Sequence, residues 1–374
     1  MSLSKIRVIE IGQVLSAPYA GMIFAELGAE VIKVEKPGVG DDARSMGPAF
    51  LDGASMVFHD VNRGKASVVI DLKSPEGLQQ LFRLLSDADV LVHNLRPGVA
   101  DQIGLGKEII VEKFPRLIYC ELTAFGHKGP KQLSPGYEPL LQAFSGLVSM
   151  NGAEDGPTSR VGASIVDQGT AMWAVIGVLT ALRERDQTGR GSVVNASLLE
   201  TAMAWAAQRI HGQVNEGRES KRYGTAHPGL VPYQAFDTKD GQIMICAGND
   251  RLFTRLASAM GHPEWCEDER FATNRQRLIH RKEIVQALQA VLLTESRSVW
   301  VSRLEAVGVP VAPINSIPEA LAEPQVQAMG ILQPVKNRGF SLIGLPLSFN
   351  AVRPEISGVA PLLGQDNETY LGTT

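Results

Sequence analysis

Five short, largely β-branched runs, spaced by helix-length segments over the first third of the chain, constrain its fold more than any other feature. They are IRVIEI (Ile6–Ile11), VIKVE (Val31–Glu35), SVVIDL (Ser67–Leu72), DVLVH (Asp89–His93) and LIYCELT (Leu117–Thr123). Between the first two, YAGMIFAELG (Tyr19–Gly28) carries helical spacing. Ser16 is placed to cap that helix, Pro18 suits its first turn and Gly28 its end. Pro75–Ala88 and Lys107–Phe114 also read as helices. A strand–helix–strand unit this compact crosses over to a parallel neighbour. Runs apolar on both faces and separated by helices predict a parallel sheet covered on both sides, an α/β and Rossmann-like domain. Ligands of such sheets sit beyond the strand C-termini, here the loops after Ile11, Glu35, His93 and Thr123.

From about Pro139 the pattern turns helical: Pro139–Met150, Val166–Asp186 and, after a short strand near Val193, Leu198 to about Glu216. The charged, Gly/Pro-punctuated stretch EGRESKRYGTAHP (Glu216–Pro228) marks a boundary. Beyond it, a strand at Gln242–Ala247 and helices at Asp250–Gly261, Arg281–Leu293 and Ser298–Val307 predict a smaller α+β unit, closed by Pro310, Pro313 and Pro318. The tail, Gly330–Leu371 with its strand-like LIGLPLSF, is expected to return to the first domain. The division is therefore residues 1–216, 227–318 and 319–374, which suits a chain of 374 residues at roughly 150 per domain.

Lys plus Arg number 36 against 40 Asp plus Glu, so nothing global favours nucleic acid or an anionic membrane. An anionic ligand must meet a local basic cluster. A mean hydropathy near zero fits a globular chain. Apolar stretches such as Ala171–Leu182 fall short of the ~20 residues of a bilayer span, so no membrane segment is expected. The N-terminus enters a strand without a signal-peptide pattern, and Cys120, Cys246 and Cys266 are odd in number and far apart. Both point to a reducing cytoplasm. The first turn, GQVLSAP, lacks the GxGxxG glycines of a dinucleotide site; Gly64-Lys65 and Gly106-Lys107 are not followed by Ser or Thr. HExxH, paired CxxC and GxSxG are missing, and the seven histidines have no ligand spacing, so no metal is expected.

Several spaced segments belong together: Ile11–Arg44, Asn62–Gly77, Ala88–Gly106, Phe125–Gly152, Val161–Glu200, His227–Asp250 and the terminal APLLGQDNETYL. In order and over nearly the whole chain they resemble the class III coenzyme A transferases, the group of formyl-CoA and carnitine CoA-transferases, with α-methylacyl-CoA racemase as a divergent branch. The resemblance implies a large Rossmann-like domain built from both chain ends, a smaller inserted domain, and a homodimer of interlocked subunits. Its substrates would be acyl-CoA thioesters and small carboxylic acids, with no permanently bound cofactor. Succinyl-CoA or acetyl-CoA is the expected donor.

Asp167, in GASIVDQGTA, matches the family's nucleophile. Read from the residues alone it is a helix N-cap, where the macrodipole would favour the ionised carboxylate that attacks a thioester. Leu15, Ser16, Lys36, Lys73, Asn94, Leu95 and Arg96 match the coenzyme-contacting loops, the three cations facing its phosphates. Leu15 replaces a Gln of the formyl-CoA enzymes and Gln102 an Arg, which implies a different acyl group and nucleotide grip. Tyr137 and Glu138 match the segment that packs on the nucleophile, and Gly248 a loop over the intermediate. Racemisation, the alternative, needs a base on each face of the α-carbon. A His of the racemases is here Tyr137, a poor base with a reference pKa of about 10. A non-catalytic acyl-CoA binder is the other alternative, against which Asp167 speaks. Arg44, Arg160 and His227 are candidates to pair with a second carboxylate of an acceptor such as succinate, itaconate, mesaconate or citramalate.

Overall fold

The computed structural model describes residues 3–336 and 338–372, which divide into two units. The first draws on Met1–Val148, Arg160–Glu219 and Met329–Thr374, the second on Ser149–Ser159 and Ser220–Ala328.

In the first unit, β1 (Arg7–Ile11), β2 (Glu30–Glu35), β3 (Ala66–Val69), β4 (Val90–His93), β5 (Ile118–Thr123) and β6 (Val193–Ser197) form one parallel sheet in the order β3-β2-β1-β4-β5-β6. That is the doubly wound order, with its reversal between β1 and β4. The helices are α1 (Ser16–Glu26), α2 (Pro75–Ser86), α3 (Lys107–Lys113), α4 (Glu138–Phe144), α5 (Ile165–Thr188), α6 (Leu198–Trp205) and α7 (Ala207–Glu216). Successive strand residues point to opposite faces. Val8, Val31, Val92 and Cys120 join one core with α1 and α5, while Ile9, Ile32, Leu91 and Tyr119 join the other with α2 and α3. A strand buried on both sides is mostly apolar on both faces, which is why these runs were legible.

Helix ends differ from expectation where caps compete. The cap of α1 is Leu15, without a side-chain bond, and Ser16 is already helical. Ser74 caps α2 through Gly77 N–H, with Pro75 at the first position. The helix expected over Pro139–Met150 stops at Phe144, before Gly146 at φ +91°. The one expected from Leu198 breaks at Ala206 into α6 and α7. One described helix, α5, is long and apolar enough to cross a membrane, contrary to the expectation from apolar stretches; half of its apolar window is buried in the unit. The tail lies against the sheet edge, where Asp366 Oδ2 and Asn367 Oδ1 accept from Ser67 and Val69 N–H of β3, both at 2.8 Å.

The second unit has an antiparallel sheet of Tyr233–Asp237, Gln242–Cys246 and Val311–Pro313, the middle strand at its centre. Phe236, Ile243, Phe253, Leu288 and Trp300 fill its core. It also takes up 149–159, a segment whose sequence carries no sign of separation from the first domain.

Candidate active site

The reversal of the sheet leaves a crevice between the loops after β1 and β4, and Asn94 closes its floor. Its Oδ1 accepts Gln13 N–H at 2.9 Å, while its Nδ2 donates to Gln13 O at 2.9 Å and Ser16 Oγ at 3.1 Å. Above it lies a cavity of about 450 Å³. Of the residues singled out by sequence, Leu15, Ser16, Asn94, Leu95, Arg96, Tyr137 and Asp167 line it together. Gln13, Asp42, Thr123 and Leu198 line it as well. Those four carried no signal beyond lying next to the singled-out residues or at a strand end.

Asp167 is not the N-cap of α5. Ser164 holds that position without a side-chain bond, and Asp167 is the third helical residue. The orphan N–H of Val166 instead donates to Glu138 Oε1 at 3.3 Å, and Gln142 Nε2 donates to the same oxygen at 2.7 Å. Gln142 in turn accepts Val161 N–H at 2.9 Å, so α4 fixes the entry to α5. Glu138 thus backs the cavity wall and does not line it. Burial, reinforced by the Glu138 charge, pushes the Asp167 carboxyl up to about 7. The macrodipole expectation is reversed, because desolvation and a like charge outweigh one helix end.

Other expected ligands lie apart from the cavity lining. Lys36 Nζ pairs with the lining Asp42 at 2.6 Å, and Lys73 is exposed away from the lining. Arg44 is held by both oxygens of Glu35, at 2.8 and 2.7 Å, and lies over the Phe58 ring, so it is not free for a substrate carboxylate. Arg160 is exposed, with a bond to Val161 O at 3.3 Å. His227 and Gly248 belong to the second unit; a Cβ on Gly248 would come within 2.6 Å of Leu230 Cβ, so glycine there makes room.

Beneath the first turn lies a group of charges the sequence reading passed over. Lys33 Nζ donates to Glu10 Oε1 at 2.8 Å and Gly12 O at 2.9 Å, and pairs with Asp41 Oδ2 at 2.8 Å. Lys65 Nζ donates to Glu10 Oε2, to Pro18 O at 2.8 Å and to Asn62 Oδ1 at 2.9 Å. All four charged side chains are fully buried or nearly so. Burial works against the Lys33 charge, but Glu10 and Asp41 outweigh it and hold its pKa above the ordinary value. Burial pushes Lys65 down to about 8, the pull of Glu10 being opposed by Lys33. Removing one member of such a buried pair costs roughly 3–5 kcal/mol. The available signal was Glu10 and Lys33 interrupting otherwise apolar strands.

The sequence profile of CoA-transferase family III matches residues 3–367. The chain is 37% identical over 372 residues to the succinyl-CoA:glutarate CoA-transferase of Mus musculus, covering 99% of this chain and 85% of that protein. It is 38% identical over 335 residues to the succinate–glutarate CoA-transferase of Agrobacterium fabrum, covering 88% and 84%. A CAIB/BAIF family protein from Brucella suis superposes with a TM-score of 0.87 at 33% identity over 97% of each chain. Rv3272 from Mycobacterium tuberculosis superposes at 0.89 with 29% identity over 98% of each. A profile that runs from residue 3 to 367 through both units, joined to relatives 37–38% identical over most of their length, leaves one assignment: this chain belongs to CoA-transferase family III and is an enzyme that transfers coenzyme A.

Proposed function

We propose that this enzyme moves CoA from succinyl-CoA to a small dicarboxylate, glutarate foremost, with Asp167 as the nucleophile. The observation that carries the reading is Asp167 lining one cavity with Leu15, Ser16, Asn94, Leu95 and Arg96. The names of the mouse and Agrobacterium relatives support the donor and the acceptor class. The Asp167 carboxylate adds to the thioester carbonyl and expels CoA thiolate, leaving a succinyl–aspartyl anhydride. The thiolate attacks the aspartyl carbonyl of that anhydride, releasing succinate and forming an aspartyl-CoA thioester. The acceptor carboxylate then displaces CoA to give a second anhydride. Attack of the thiolate on the acceptor acyl carbon releases the new thioester and restores Asp167. Every step exchanges one acyl bond for another and consumes no redox equivalent. Arg96, the only Lys or Arg among the lining residues, is available to an anionic group of either substrate.

We further propose that the enzyme works as a homodimer. Met172, Trp173, Ile176 and Leu179 form an exposed apolar strip along α5, the kind of surface an obligate partner covers. The test of the reaction is incubation with succinyl-CoA and a panel of glutarate, succinate, itaconate, mesaconate, citramalate and oxalate, with mass spectrometry of the CoA esters. Glutaryl-CoA is expected from the wild type and none from Asp167→Ala. Normal turnover by Asp167→Ala rules out the mechanism.

A further inference from the structure

We infer that Lys33 is a positioning residue for CoA transfer: through Gly12 and Asp41 it holds the Gly12–Ser16 turn in the strained shape that presents Val14, Leu15 and Ser16 to the substrate cavity. The inference rests on reading that cavity as the CoA-transfer site. Val14 has φ +66°, in the left-handed region that a β-branched residue avoids. Something must compel it, and two contacts do. The Val14 N–H donates to Asp41 Oδ1 at 3.0 Å, while the other Asp41 oxygen is paired with Lys33 at 2.8 Å. The Gly12 carbonyl, two residues earlier, accepts directly from Lys33 at 2.9 Å. One buried ammonium therefore holds the turn at Gly12 directly and at Val14 through Asp41. The chain is also shaped around the buried charges. A Cβ on Gly12 would come within 2.9 Å of Glu10 Oε1, and one on Gly21 within 2.0 Å of Glu10 Oε2. Buried ion pairs add little net stability compared with apolar packing, but they specify one geometry. Here that geometry is the turn on which Leu15 and Ser16 enter the cavity.

The test is a mutant cycle. Glycine adopts positive φ without penalty, so Val14→Gly makes the turn less dependent on being held. Lys33→Met alone and combined with Val14→Gly is assayed for CoA binding by calorimetry, for kcat and KM with succinyl-CoA, and for Tm. In the wild-type background Lys33→Met is expected to weaken CoA binding and raise KM at least tenfold. In the Val14→Gly background the same change is expected to act less than threefold. A purely structural lysine lowers Tm in both backgrounds and affects CoA binding equally in both; that result, or unchanged CoA binding in folded Lys33→Met, overturns the inference. If Lys33→Met does not fold, Asp41→Ala enters the same cycle with the same expected coupling. Asp167→Ala is run alongside. If it keeps turnover the nucleophile assignment fails, while the binding cycle still decides on Lys33.

Discussion

The catalytic proposal turns on Asp167, whose surroundings work against its own charge. Its carboxyl ordinarily titrates near 3.8, and in the fold at about 7. The native state therefore holds the proton more tightly than the unfolded chain, and stability falls as pH rises between those values. The full shift corresponds to a loss of up to about 4 kcal/mol above pH 7. Asp167→Asn, which cannot ionise, should match the wild type in Tm at pH 4 and exceed it at pH 8, by thermal melts across that range. A Tm difference independent of pH would show that Asp167 ionises freely in the fold. The proposed mechanism uses the ionised form, so it predicts that kcat/KM for succinyl-CoA rises with pH to a plateau with its midpoint near 7.

At the level of elements, the junction of α4 and α5 adds to what burial does at Asp167. Glu138 takes the helix-end N–H of Val166 and lends its charge to the neighbourhood of Asp167. Glu138→Gln keeps an acceptor for that N–H and removes the like charge. The ascending limb of the pH–rate profile should then move to lower pH, with Tm nearly unchanged. A limb that stays in place would assign the Asp167 shift to burial alone. Helix α5 also explains why a segment of membrane-like composition belongs in this fold: one side packs with α1 in a core, and the other carries the Met172–Leu179 strip. Trp173→Glu with Ile176→Glu should convert a dimer to monomers on light scattering after size exclusion. A monomeric wild type would leave that strip to another partner.

Across the first unit, the C-terminal tail meets β3. Asp366 and Asn367 occupy N–H groups of an edge strand almost three hundred residues earlier, and Gly364 N–H donates to Ser67 Oγ at 3.0 Å. Ser67 Oγ in turn donates to Glu35 Oε1 at 2.6 Å, beside Arg44. The tail is thus linked through Ser67 to the Glu35–Arg44 ion pair. Asp366→Ala with Asn367→Ala removes two part-buried bonds, each worth about 1 kcal/mol. Urea unfolding should show a loss of about 2 kcal/mol, while Asp167 chemistry persists in the folded fraction. An unchanged midpoint would mean the tail is held by its remaining contacts, the Gly364 and Tyr370 hydrogen bonds and the apolar packing of Tyr370 and Leu371.

The sequence by itself determined the parallel sheet, because strands covered on both faces are mostly apolar on both, and IRVIEI, DVLVH and LIYCELT, spaced by helices, fit that pattern. It also pointed to Leu15, Ser16, Asn94, Leu95 and Arg96 as neighbours at one cavity, since a doubly wound sheet collects its strand-end loops at the reversal; Tyr137 and Asp167 reach the same cavity from α4 and α5. Tertiary structure decided everything that depends on which charges face each other. Arg44 looked available and is spent on Glu35; Glu138 matched a segment packing on the nucleophile and accepts the Val166 N–H at the entry to α5; Lys33 looked like a strand residue and bonds the Gly12 carbonyl of the turn. Periodicity records which side of an element is buried and nothing of distance between elements. Charge pairing and desolvation depend on such distances, and so appear only once the chain has folded.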